Sequence, residues 1–80
     1  MNHFYTSCRL GFNTAKGVFE FVFSTSGGKT YVIPHEGIDS SEYTRSNGRL
    51  KISYLNRNHT RISICCSDEA AQTFKGSLLH

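Results

Sequence analysis

The stretch LKISYLNRNHTRISICC, Leu50 to Cys66, decides the fold. Apolar and polar residues alternate on either side of the turn letters Asn56-Arg57-Asn58-His59, the pattern of two antiparallel strands, about Leu50–Leu55 and Thr60–Cys66. Side chains two apart share a face of a strand. Leu50, Ile52 and Tyr54 therefore line one side with Ile62, Ile64 and Cys66, while Lys51, Ser53, Arg61 and Ser63 lie opposite. A lone hairpin with one apolar face is at best marginally stable in water. The remainder of the chain must supply strands or a helix to cover it.

Outward from this hairpin, Val18–Ser24 (VFEFVFS) is the strongest β segment by composition, because β-branched and aromatic neighbours on both sides disfavour helix. Phe19, Phe21 and Phe23 form its expected core face, and Glu20 marks the opposite face as wet, since an unpaired buried carboxylate is costly. Thr25-Ser26-Gly27-Gly28 turns the chain into a further strand, Lys29–Pro34, which Pro34 ends. A weaker period of two over His3–Leu10 predicts a first strand, with Phe4, Thr6, Cys8 and Leu10 on one face and Tyr5, Ser7 and Arg9 on the other. GFNTAKG reads as a loop or hairpin turn after it. His35–Asn47 is the least periodic part. It reads as an irregular link anchored by Ile38 and Tyr43, with one helical turn over Ser40-Ser41-Glu42-Tyr43, and with Asn47-Gly48 suited to a tight turn if Tyr43–Ser46 pairs with Leu50 onward.

Ser67 opens a different pattern. Its hydroxyl can cap SDEAAQTFKGSLL, Asp68 and Glu69 suit the positive first turn, and Ala70, Phe74 and Leu78 recur four apart as one apolar stripe. Gly76 weakens the last turn by about 1 kcal/mol relative to alanine. The expected fold class is α+β: a small antiparallel β-sheet or partial barrel closed by one C-terminal helix.

Eighty residues hold one domain, 1–80, which buries only about 60–65% of the surface of its unfolded chain. Six Phe and four Tyr are enough for a core and argue against a disordered chain. Nine Lys plus Arg against six Asp plus Glu give +3, a weak bias toward acidic partners. Three cysteines, two of them adjacent, favour free thiols in a reducing compartment, so the expected location is cytoplasmic. No run approaches the length of a membrane span, and MNHFYTSCRLG lacks the pattern of a signal peptide.

Donor atoms for a metal exist in His3, Cys8, His35, His59, Cys65 and Cys66, but without a CxxC pair or paired His/Cys spacing; no cofactor is expected. His35-Glu36 offers a base beside a carboxylate, and Arg57 with His59 offers a phosphate contact beside a proton donor. Neither pair belongs to a spaced catalytic motif, so the expectation is a non-catalytic protein. The leading reading is a protein-interaction module, working alone or as a homo-oligomer. The alternative is nucleic-acid binding through a basic hairpin face: Arg45, Arg49, Lys51, Arg57 and Arg61 fall in a segment with no Asp or Glu, and Tyr43 and Tyr54 add stacking surfaces.

YVIPHEGIDSSEY, GRLKISYLNRNHTRISICC and SDEAAQTFKGSLL together resemble the latter half of small bacterial domains with a pleckstrin-homology-like fold, a seven-stranded half-barrel closed by a helix. The likeness spans Tyr31–Leu79. It implies a β scaffold closed by Ala70–Leu78 and partner recognition rather than catalysis, and it carries no ligand residues across.

Overall fold

The computed structural model describes residues 3–78, apart from the side chain of Asp39. The hairpin at its centre has the register the alternation implies. Strands β6 (Arg49–Asn56) and β7 (Arg61–Cys66) pair antiparallel with Leu50 opposite Cys66, Ile52 opposite Ile64 and Tyr54 opposite Ile62. Asn56 builds the turn, because its carboxamide oxygen accepts from the backbone N–H of Asn58 and of Thr60, both at 3.0 Å. His59 completes the reversal in the left-handed region, at φ 63°.

Five further strands, a 3-10 turn and a helix surround this pair among the described residues. The first strands are β1 (Phe4–Tyr5), β2 (Ser7–Asn13), β3 (Val18–Ser24) and β4 (Thr30–Pro34). A short 3-10 turn over His35–Gly37 leads to β5 (Ile38–Ser46), and helix α1 (Asp68–Ser77) follows β7. The strands form two sheets, β1-β7-β6-β5 and β2-β3-β4, antiparallel except for the parallel β1–β7 pair. The α+β class with a C-terminal helix is therefore present, with two sheets rather than one.

Three differences from the sequence reading have physical causes. The first concerns the strand expected over His3–Leu10, which divides at Thr6: Phe4 and Tyr5 pair with Cys65 and Cys66, whereas Ser7 onward pairs with β3 and continues to Asn13. Crossing from one sheet to the other reverses which parity faces inward, so Tyr5 and Cys8 are both buried. A single period of two cannot describe such a strand. The second is that His35–Asn47 is no irregular link. β5 pairs with β6 from Ile38 to Ser46, with a bulge between Ile38 and Ser40, and the expected helical turn at Ser40–Tyr43 is extended strand. Asn47 and Gly48, at φ 53° and 74°, make the tight turn their letters favour.

The third difference is Phe19. Phe21 and Phe23 are fully buried, but Phe19 on the same face is 51% exposed. It lies opposite Phe12, also half exposed, and the two rings meet edge to face at 4.9 Å. Both sit at the turn end of the β2–β3 hairpin, where each half-exposed ring shields the other.

Ser67 caps α1, its Oγ accepting from the Ala70 N–H at 3.2 Å while its hydroxyl donates to the Thr6 carbonyl at 3.0 Å. Phe74 then reaches both sheets, 4.7 Å from Phe21 and 5.4 Å from Phe23 on one side and 6.5 Å from Tyr43 on the other. The helix thus fills one opening between the sheets. Of its expected stripe, Ala70 and Phe74 lie in the core and Leu78 packs against it, with Ala71 buried beside them; Leu79, included in the resemblance, lies outside the described residues.

Candidate functional site: an open groove beside strand β4

The opening opposite the helix is left as a groove of about 570 Å³ between β4 and the β6–β7 hairpin, within the range of ligand-binding clefts. Its floor is inward-facing β structure: Tyr31 and Ile33 from β4, Tyr54 from β6 and Ile62 from β7. Its rim is polar, with Lys16 from the β2–β3 turn, Glu36 from the 3-10 turn, and Asn56, Arg57 and Asn58 from the hairpin turn. An apolar floor with a few polar groups at the edge suits a peptide side chain better than a highly charged ligand.

Two hydroxyls give the floor a polar point. Tyr31 and Tyr54 lie 2.5 Å apart, O to O, and share one hydrogen bond. Whichever phenol donates, that bond leaves the other proton uncommitted. Burial, with the Tyr31 hydroxyl adding to it, pushes the Tyr54 phenol well above its ordinary range, so Tyr54 is neutral at physiological pH and available as a donor or acceptor.

The lip of the groove is a sheet edge. Among the described residues, β4 is the outer strand of its sheet and pairs only with β3. The Thr25 N–H donates to the Lys29 carbonyl at 2.8 Å beside the turn. Hydrogen-bonded and non-bonded pairs alternate along an antiparallel ladder. That alternation turns the backbone groups of Tyr31 and Ile33 toward β3 and leaves the N–H and C=O of Val32 facing outward. The Val32 side chain, 45% exposed, stands on the outer surface of the sheet. No known family, curated protein or solved structure matches this chain. The geometry of the groove is accordingly the basis for a functional reading.

The five basic residues singled out in the sequence are not gathered at one surface. Arg49, Lys51 and Arg61 share the outer face of the β1-β7-β6-β5 sheet, Arg57 stands at the groove rim, and Arg45 pairs across from Leu50 and reaches the helix. Three of them meet carboxylates: Arg45 with Asp68 at 2.7 Å, Arg57 with Glu36 at 3.8 Å and Arg61 with Glu42 at 3.5 Å. Arg57 also donates to the Glu36 carbonyl at 2.8 Å, and Arg49 lies 5.2 Å over the Phe4 ring. These carboxylates are remote in sequence, which is why a stretch without Asp or Glu looked more basic than the folded surface is. Tyr54 is buried and Tyr43 is half-buried under Lys75 and against Phe74, so neither ring is an open stacking platform.

The other candidates are dispersed. The His35 ring stacks on Phe21 at 5.4 Å, with Nε2 3.3 Å from the Ser77 carbonyl. His59 is exposed in its turn. Cys8, Cys65 and Cys66 are free thiols. Burial pushes the Cys8 thiol up to about 12 and the Cys66 thiol up to about 11, which makes both poor nucleophiles and poor metal ligands at neutral pH. Among the described residues, no three His, Cys, Asp or Glu are grouped to hold a metal ion, and no helix is long and apolar enough to cross a membrane.

The groove itself gave no signal in the sequence. Its walls come from three separate segments of the chain, 16–18, 31–37 and 54–62, and its floor residues read simply as core. The one local cue was Pro34, which marks β4 as a strand that ends at an edge.

Proposed function

We propose that this chain is a non-catalytic protein-interaction module, and that its partner presents an extended polypeptide segment to the groove between β4 and the β6–β7 hairpin. The observation that carries the reading is that the helix fills one opening between the sheets while the other is an apolar-floored groove of about 570 Å³ whose lip is the outer edge of β4, unpaired among the described residues. Three free thiols support a reducing, cytoplasmic setting. The pleckstrin-homology-like resemblance belongs to the same proposal, supported by two sheets of short strands with a terminal helix against them.

Nucleic-acid binding is the weaker reading. Arg49, Lys51 and Arg61 do lie on one sheet face, but Glu42 sits among them and pairs with Arg61. The deciding test is a random dodecapeptide library on phage, selected against the folded chain. Selected peptides, acetylated and amidated, are then titrated into the labelled protein with the amide spectrum recorded. Shifts confined to Val32, Tyr54, Asn56–Asn58 and Ile62 are expected. Absence of enrichment, or shifts on Lys51, Ser53 and Ser63 instead, would refute the groove. Titration of single-stranded DNA at two salt concentrations selects the alternative if affinity falls steeply with salt and the same outer-face amides move.

A further inference from the structure

Resting on that reading, we infer that the partner segment binds as an added strand, antiparallel to β4 and held through the backbone of Val32. It carries apolar side chains on both neighbours of the residue that pairs with Val32 and an acidic side chain on its N-terminal side.

The edge sets the pairing. In an antiparallel ladder one residue exchanges both of its backbone bonds with the residue opposite, and Val32 is the middle residue of β4 with both groups directed away from β3. Its neighbours Tyr31 and Ile33 point inward. The partner residue opposite Val32 must therefore point outward, and the residues on either side of it must point inward, over Tyr54 and Ile62 on the groove floor. An apolar–any–apolar triplet follows from the pleat alone.

An antiparallel direction lets one partner residue take both backbone groups of Val32, which a parallel one does not, and Pro34 has no N–H to add at its end of the edge. Lys16 lines the groove at that end and has no carboxylate within ion-pair distance among the described residues, whereas Arg57 already holds Glu36. In the antiparallel arrangement the residues beside Pro34 precede the apolar triplet, so the acidic side chain that Lys16 recruits is N-terminal to it.

A second copy of this chain is a poor occupant. If β4 paired with β4 of another molecule, the side chains directed at the groove would be Tyr31 and Ile33 of that copy, and both are already packed in its own core. The groove requires a strand whose inner face is unspent. That is a property of an extended segment rather than of a folded sheet edge.

The probes are the peptides enriched by the phage selection, synthesised with blocked termini. Val32→Pro removes an N–H that β3 does not use, and proline is tolerated on such an edge; Val32→Thr keeps the N–H. The expected result is affinity weakened about tenfold or more by Val32→Pro, because a buried acceptor loses its donor, and changed less than about twofold by Val32→Thr. As a check that leaves the protein untouched, N-methylation of the peptide residue between the two apolar positions should weaken binding to the same degree, and methylation of either neighbour should not. Lys16→Glu should weaken the acid-bearing peptides and reverse the preference when the acid is replaced by lysine. Peptides that move the groove amides but bind Val32→Pro and tolerate every N-methyl group as well as the parent would overturn strand addition while leaving the groove reading intact. Failure to enrich any peptide removes both.

Discussion

Replacing Phe74 with alanine tests whether the helix is the keystone of the two sheets. The ring is fully buried and touches three aromatic neighbours, Phe21, Phe23 and Tyr43, contributed by both sheets. Truncating a buried Phe to Ala costs about 3–5 kcal/mol, the transfer of the ring plus the cavity it leaves. The upper part of that range applies here, since edge-on ring pairs add about 0.5–1.5 kcal/mol each beyond their buried area. Against a total stability of about 4–12 kcal/mol for a chain of this length, the substitution removes a third or more of the whole. In urea, with a slope of about 1 kcal/mol/M suited to a small domain, the unfolding midpoint followed by circular dichroism should fall by about 3 M or more. Phe12→Ala is the control: its ring is half exposed, so its loss should cost about 1 kcal/mol. The packing argument fails if Phe74→Ala loses no more stability than Phe12→Ala.

Two further perturbations address the cap and the thiols. Ser67→Ala removes both the Ala70 cap and the bond to the Thr6 carbonyl, and should cost about 1–2 kcal/mol by the same urea measurement; an unchanged midpoint would mean that the helix start is held by packing alone. Cys8 and Cys66 hold their protons in the folded chain up to about 12 and 11, against an ordinary 9.0 in the unfolded chain. Between those values the unfolded state has released protons that the folded state retains, so stability is fully present below about pH 9 and should fall as pH rises through 9 toward 12. Urea midpoints across that range check the slope, and a thiol reagent at pH 8 should modify half-buried Cys65 well before the other two; equal labelling of all three would contradict the burial.

Features whose physics is local were legible in the sequence. Alternation and the Asn56–His59 turn set the β6–β7 register, and Ser67 with the 70-74-78 stripe set the helix. β5 was illegible because an edge strand with one wet face needs few apolar side chains. Ile38 and Tyr43 supply its inward contacts, and backbone pairing with β6 supplies the rest. Phe19 misled because periodicity names a face but not how far along the strand that face is covered. The five basic residues misled for the converse reason: Asp68, Glu36 and Glu42, which neutralise three of them, arrive only through tertiary structure. The candidate site was the least legible of all, since an empty space between two elements has no letters of its own.

The parallel pairing of Phe4 and Tyr5 with Cys65 and Cys66, reinforced by the Ser67 N–H donating to the Tyr5 carbonyl at 2.9 Å, bears on how the chain is made. During synthesis the β2-β3-β4 meander and then the β5-β6 hairpin can zip up as they leave the ribosome. The segment before them must wait, with Phe4 and Tyr5 still unpartnered, until β7 emerges. Closing so long a loop is entropically costly, and folds dominated by such remote contacts form slowly. Emergence of β7, rather than assembly of any one hairpin, is therefore the event that joins the segment at Phe4–Tyr5 to its sheet, and until then the β2-β3-β4 meander and the β5-β6 hairpin hold their aromatic faces open to chaperones.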